Sequence, residues 1–150
     1  MAIDIRGWVE ITRQDEPARS EESAWSAVLN LGALVDVGDM VSHRLFGIGL
    51  KQPPGRGAIA IVAADRGMPP YPSQAVANDL AAIRRLEEQV GYRECGGYTF
   101  ATWRELLAAG LDDAELQDSD WRTVFDVVRR LSDDHRLGPD KIRVVVWYSI

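Results

Sequence analysis

The sequence has little cysteine, little histidine and no long apolar run, and each shortage excludes a class of protein. Its 150 residues contain one cysteine, Cys95, and two histidines, His43 and His135. An internal disulfide and a cysteine-based zinc site are excluded, because each uses more than one cysteine. Neither histidine lies at a spacing typical of metal ligands, so the sequence predicts no metal and no cofactor.

Charge and hydropathy narrow the choice further. The net charge is −6, whereas a nucleic-acid-binding face must be basic to neutralise phosphates, so DNA and RNA are disfavoured as partners. The N-terminus lacks an apolar segment of signal-peptide length, and no apolar run approaches a membrane span. We therefore predict a cytoplasmic protein with no membrane partner. The length predicts one domain over residues 1–150.

Hydrophobic periodicity predicts strands at both ends of the chain and helices mostly in its second half. Alternating or continuous apolar patterns predict strands at residues 2–12, 25–31, 58–63, 97–101 and 141–150, with a helix as the alternative for the second. Residues 35–46 are weakly helical. No strand–helix–strand rhythm repeats. The expected fold is therefore a single α+β domain, with a mixed or mostly antiparallel sheet of about 4–5 strands and about three helices on one face.

Three helices carry clear boundary signals. Ser73 predicts the start of an amphipathic helix that ends at Gly91. Thr102 and Glu105 form a capping box for the next helix. Ser119 predicts the start of the last one. The inner face of that last helix is expected to contain Trp121, Val124, Phe125, Val128 and Leu131.

Residues 45–73 concentrate glycine, proline and positive charge. They hold five of the seven prolines and five of the thirteen glycines, and residues 41–72 carry a net +3, which leaves −9 for the rest of the chain. Arg66 follows the predicted central strand, and a guanidinium binds phosphate or carboxylate through two parallel hydrogen bonds. The alternative is an arginine that ties its loop by bonding backbone carbonyls or Asp65.

The glycines of this segment match no established phosphate-binding motif. Gly55-Arg56-Gly57 lacks the Gly-Lys-Ser/Thr ending of a P-loop, and the Gly47-x-Gly49 pattern precedes a predicted strand instead of a helix. The segment is therefore either an ordinary loop or a phosphate-binding loop. The same two interpretations apply to Lys51 and Arg56. They either bind the anion or keep the loop soluble.

Trp8 and Trp147 alternate out of phase with the apolar residues of their predicted strands. If one face of the sheet is open, these indoles and Tyr71 form an aromatic surface that could stack a base. If both faces are covered, the two tryptophans belong to the core.

The ionisable residues outside this segment have competing interpretations. His43 either acts as an acid or base or is a partly exposed helical residue. Glu10 is expected to be a solvated strand residue. Residues 112–120 contain five acids before a helix, where the dipole favours them. The alternative for that acidic run is a surface that binds a basic partner protein.

The chain resembles a family of small uncharacterised bacterial and phage proteins, because several short motifs occur in the same order along the sequence. Members of that family typically open with Met-Gly-Cys-Asp-Ile-His. The shared positions are Asp4-Ile5, Trp8-Val9-Glu10, Leu45-Phe46, Arg66-Gly67-Met68-Pro69, Thr102-Trp103-Arg104-Glu105-Leu106 and Val144-Val145-Val146-Trp147-Tyr148. The opening cysteine and histidine of the family are Ile3 and Arg6 here. The resemblance implies an accessory protein of phages or their hosts, with an anti-defence role as one form, and supplies no activity.

These observations predict a non-enzymatic binding protein for a small phosphate-bearing ligand, such as a nucleotide or a nucleotide-derived signal. The predicted ligand-binding residues are Arg66, Arg56, Lys51, Arg44, His43, Gly67, Tyr71, Trp8 and Trp147. One alternative is a protein-interaction module or inhibitor that uses the acidic surface. Another is a hydrolase or transferase with His43 as the base.

Overall fold

The computed structural model describes residues 4–14, 24–36, 38–48 and 61–150, and these form one antiparallel sheet with helices on both faces. The elements in chain order are β1 (Asp4–Thr12), β2 (Trp25–Asn30), α1 (Met40–Phe46), α2 (Gln74–Val90), β3 (Cys95–Thr102), α3 (Trp103–Ala108), α4 (Asp113–Gln117), α5 (Trp121–His135) and β4 (Ile142–Ser149). The strand order is β2-β1-β4-β3, and each neighbouring pair is antiparallel. The predicted α+β fold is confirmed.

The first face of the sheet carries the larger core. Alternate residues of β1 and β4, such as Ile5 and Val144, point into it and are buried. The inner face of α5 packs on them with four buried residues, Trp121, Val124, Phe125 and Val128. The expected core of the last helix is thus confirmed, with Leu131 partly buried at its edge.

The second face is covered by α2, so the expectation of helices on one face is wrong. Val76 of α2 is buried with Val145 and Trp147 of β4, and half-buried Trp8 packs against the same cluster. Central strands covered on both faces carry apolar side chains in both phases of their alternation. The consecutive apolar residues of β4 fit this arrangement.

The helix boundaries agree closely with the capping signals. The Ser73 hydroxyl accepts from the Val76 amide, and Gly91 ends α2 with a φ of 78°. The Thr102–Glu105 capping box is present. At α5 the first cap is Asp120 instead of Ser119, although the Ser119 hydroxyl accepts from the amide of the residue that begins the helix.

The chain between β2 and α2 differs from expectation. The helix predicted over 35–46 begins only at Met40, because Asp39 caps it by accepting from the Val41 amide. Residues 61–63 of the predicted strand 58–63 lie outside the sheet, and Ala63 donates to the Leu45 carbonyl instead. The remainder of that prediction, at 58–60, falls outside the described residues. The strand interpretation of 25–31 is confirmed.

Among the described residues, none of the helices is both long and apolar enough to span a bilayer.

Candidate functional site

One end of the second face is closed by a buried ion pair between β1 and β4. Glu10 and Arg143 are cross-strand partners, and the Arg143 Nε donates to Glu10 Oε1 over 2.6 Å. Glu10 is 0% exposed and Arg143 is 5% exposed. Burial lowers the pKa of Arg143, and the adjacent carboxylate opposes that shift. The expectation that Glu10 is solvated is wrong, because its partner on β4 compensates its charge inside the protein.

This ion pair also fixes the loop that leads into α2. The second Glu10 oxygen accepts from the Ser73 amide over 2.6 Å. The remaining guanidinium nitrogens donate to the carbonyls of Pro70 and Tyr71, each over 3.2 Å. The guanidinium lies 3.9 Å from the ring centroid of Trp25. Both charges are thereby hydrogen-bonded, which is the condition for burying them.

At the opposite end of the same face, a groove opens between α2 and the first half of β1. Its volume is about 520 Å³, and β1, the turn after β2, α2 and β4 line it. Small-molecule sites in proteins typically have volumes of about 300–1,000 Å³. The groove therefore has the size of a ligand site.

Gly7 forms part of the groove wall because no other residue fits there. Its φ is 153°, and a Cβ at this position would lie 2.0 Å from the Val145 carbonyl oxygen. The Gly7 carbonyl also accepts from the Leu31 amide, which holds the turn after β2 against β1. The groove is consequently lined by backbone at this position.

Trp147 contributes an unsatisfied donor to the residues that line the groove. It is 1% exposed, its ring centroid lies 6.1 Å from that of Tyr98, and its Nε1 has no hydrogen-bond partner among the described residues. By contrast, Trp8 Nε1 donates to Asp79 of α2 over 2.8 Å. A buried donor without an acceptor costs free energy and is rare in native proteins.

The charges around the groove are few and mixed. Arg6 and Asp4 are each 58% exposed, and their closest charged atoms are 3.9 Å apart. Asp79 is the second carboxylate, so one guanidinium faces two carboxylates. Deeper on this face, burial raises the pKa of Cys95 and raises the pKa of Tyr98 to about 12. Desolvation is the largest cause of both upward pKa shifts, which indicates a poorly solvated interior.

Arg66 lies at the other edge of the sheet, beside β3. Its two terminal nitrogens donate to the Glu105 carboxylate over 2.9 and 2.5 Å, and also to the carbonyls of Phe100 and Val62. The hydrogen bonds from Arg66 lower the pKa of Glu105. These contacts match the loop-tying interpretation, with Glu105 in the place expected for Asp65.

The other predicted site residues are scattered. The Gly67 amide donates to a β3 carbonyl, and Tyr71 is exposed with its carbonyl on Arg143. Arg44 contacts Glu115, and the buried Nδ1 of His43 has no partner among the described residues. Lys51 and Arg56, like Gly49, Gly55 and Gly57, lie outside the described residues.

Of the predicted residues that the structure describes, only Trp8 and Trp147 line this groove together. Four polar residues that line the same groove are absent from the predicted set: Asp4, Arg6, Asn30 and Asp79. Arg6 had a usable signal, because it shares the alternating face of Trp8. Asp79 had none, since its position depends on how α2 crosses the sheet.

The acidic run is partly explained by local structure. Asp112 caps α4 by accepting from the Glu115 amide over 2.7 Å. Glu115 pairs with Arg44 on α1. In the described part of the chain, no group of three or more histidine, cysteine or acidic residues could hold a metal ion.

Comparisons with protein-family models, curated proteins and solved structures found no match for this chain. The resemblance to the bacterial and phage family therefore stays a prediction.

Proposed function

We propose that this protein binds a small phosphate-bearing ligand, such as a nucleotide or a nucleotide-derived signal, in the groove beside Trp147, and that it performs no catalysis. The observation that carries the proposal is a groove of ligand size lined by Trp147, whose buried Nε1 has no acceptor among the described residues. A ligand in the groove can accept from this nitrogen only after the indole shifts towards it, and the contact would then replace an unsatisfied donor with a hydrogen bond.

The chemistry of the groove supports a ligand with an aromatic ring and an anionic group. Trp8, Ile83 and Trp147 supply aromatic and apolar surface, and Asn30 supplies an amide that can both donate and accept. Arg6 supplies the positive charge. A few polar groups within an apolar lining are typical of small-molecule sites.

The wider context of the proposal rests on the sequence. The single cysteine is compatible with a reducing compartment such as the cytoplasm. The family resemblance favours an accessory role in phages or their hosts. Capture of a host signalling nucleotide is one function that combines such a role with the groove.

A thermal-shift screen of nucleotides, with native mass spectrometry of the purified protein, tests the proposal. We expect at least one nucleotide to raise the melting temperature, and Trp147→Phe to weaken its binding about 3- to 10-fold through the lost hydrogen bond. Arg66→Ala is the matched control, because Arg66 lies on the other edge and should not affect binding. Binding that Arg66→Ala abolishes and Trp147→Phe retains would move the site to Arg66. A clean apo mass without any shift contradicts the proposal.

A second candidate function is a protein-interaction module that uses the acids near α4. Asp113 and Asp118 are exposed at the two ends of this short helix, and each extends the acidic run. This function predicts salt-sensitive binding of a basic partner. Reversal of both charges should weaken that binding while Trp147→Phe leaves it intact.

A further inference from the structure

We infer that the groove binds its ligand with a planar ring facing inward and a single phosphate at the mouth, so that nucleoside monophosphates are preferred over triphosphates. This inference rests on the proposed function and adds the orientation and the charge of the ligand. Its basis is how polarity changes with depth and how few positive groups the groove contains.

The polarity gradient is set by two cross-strand neighbours. Arg6 and Trp147 are directly opposite each other on β1 and β4. Such neighbours on one face have Cβ atoms about 4.5–5.5 Å apart, so one small molecule can contact both. Trp147 is 1% exposed, whereas the Arg6 side chain is 58% exposed. Trp147 therefore forms a closed part of the groove floor, half-buried Trp8 offers the accessible aromatic face for the ring of the ligand, and the guanidinium suits a group that remains solvated.

The small number of positive side chains in the groove limits how many phosphate groups it can bind favourably. Arg6 is the only cationic side chain that lines the groove within the described residues, while Asp4 and Asp79 line it with negative charge. A phosphate monoester carries a charge of about −1.5 to −2 near neutral pH, which one guanidinium can partly balance through two hydrogen bonds. Each further phosphate adds negative charge without another cation in the described lining of the groove. The second and third phosphates are therefore expected to add no affinity.

The exposed state of Arg6 is compatible with this role. Its contact with Asp4 is 3.9 Å long and solvent-exposed, so a ligand phosphate can replace it at little cost. Arg143, on the same face, is 5% exposed and already holds a carboxylate and two carbonyls, which leaves it no capacity for a ligand. Of these two arginines, only Arg6 can bind a phosphate of the ligand.

Isothermal titration calorimetry with the four common nucleosides, their 5′-monophosphates and their 5′-triphosphates tests the inference. The titrations use the full chain without divalent cations, so that the phosphates keep their charge. For the preferred base, we expect the monophosphate to bind about 10-fold more tightly than the nucleoside, as for one charge-assisted hydrogen-bonded contact. The triphosphate should bind no more tightly than the monophosphate.

Two variants test separately whether Arg6 causes the gain from the first phosphate and whether Asp4 disfavours the further phosphates. Arg6→Gln should abolish the gain in affinity of the monophosphate over the nucleoside when both are measured on that variant. Asp4→Asn should raise triphosphate affinity about 3-fold or more relative to wild type, because it removes a like charge. A triphosphate that binds wild type 10-fold more tightly than the monophosphate, or a phosphate gain that survives Arg6→Gln, overturns the inference but leaves the proposed function. If no compound of the series binds, the proposed function fails with it.

Discussion

The two ends of the second face use the same strands in opposite ways. Near the loop before α2, the cross-strand pair Glu10–Arg143 is buried and fully hydrogen-bonded. At the other end, the cross-strand pair Arg6–Trp147 combines an exposed cation with a buried indole nitrogen that has no partner in the described part of the chain. Satisfied groups hold a fold together, whereas unsatisfied ones indicate where another molecule can add free energy. We therefore assign a structural role to the first end and binding to the second.

The largest effect on stability is expected at the end of the second face that contains the Glu10–Arg143 pair. Glu10→Gln removes the charge that compensates Arg143 while keeping the side-chain shape. We expect the free energy of unfolding to fall by about 3–5 kcal/mol, because a buried charge is left unpaired. Urea-induced unfolding at pH 7 measures the change.

Two further variants test whether this loss arises from the unpaired charge. Asp134→Asn breaks the exposed pair with Arg130 and should cost at most about 0.5 kcal/mol. The double variant Glu10→Leu with Arg143→Met removes both charges and should recover part of the stability lost in Glu10→Gln. A double variant that is less stable than Glu10→Gln would assign the loss to packing.

The second-largest expected effect is a difference in stability between the phenylalanine variants of two buried tryptophans. Trp121 Nε1 donates to the Ser42 hydroxyl over 2.6 Å, whereas Trp147 Nε1 donates to nothing among the described residues. Replacement by phenylalanine should therefore cost about 1–2 kcal/mol more at Trp121 than at Trp147, because only Trp121 loses a hydrogen bond. Urea unfolding of the two ligand-free variants measures the difference. Equal losses would indicate that the Trp147 nitrogen is paired in solution.

A smaller, pH-dependent effect is expected for the pair at the β3 edge. Arg66 lowers the pKa of Glu105 in the folded state. Its stabilising contribution is therefore present above the ordinary glutamate pKa of about 4.3 and is lost as the pH falls through the lowered folded value. Glu105→Gln should cost about 1 kcal/mol at pH 7, since the pair is one-third exposed, and less at acid pH.

Urea unfolding of wild type and Glu105→Gln from pH 7 down to pH 3 measures this dependence. A glutamine is still compatible with the capping box, so the difference reports mainly on the ion pair. A difference in stability that stays constant over this range would show that Glu105 is not stabilised as a carboxylate.

The smallest effect on stability is expected at the end of the second face that contains Arg6 and the groove. Arg6→Gln should change the free energy of unfolding by less than about 0.5 kcal/mol, because the side chain is exposed and its ion pair is long. Urea unfolding of the variant tests this. A loss comparable to that of Glu10→Gln would make Arg6 a structural residue like Arg143 and would weaken the binding assignment.

Local signals predicted most of the elements. The α+β class, the helix from Ser73 to Gly91, the capping box at Thr102 and the terminal strands follow from alternation and caps, which are short-range effects. The helix start predicted at Ser119 is one residue early, and Asp39, from a distant part of the chain, accepts from both the Ser119 hydroxyl and the Asp120 amide at this boundary. Boundaries that depend on such tertiary contacts are not visible in a local pattern.

The candidate site was predictable only in part. Trp8 and Trp147 were recognised from their phase in the strands, and the structure places both at the groove. Arg66 was recognised as a cation in a glycine-rich loop, but its partner Glu105 is 39 residues away. Glu10 was misinterpreted for the same reason, since its partner Arg143 is 133 residues away. A sequence shows that a charge is present and does not show which charge faces it.

The sequence by itself determined most of the elements and the two apolar phases of the central strands, because these depend on neighbours within a few residues. Only the tertiary structure decided that α2 covers the second face, that Glu10 and Arg143 close one end of it, and that Trp147 Nε1 at the other end has no partner among the described residues. Each of these depends on contacts between distant segments. The free energy of a buried polar group is set by its partners in space, so its role is decided only when the chain is folded.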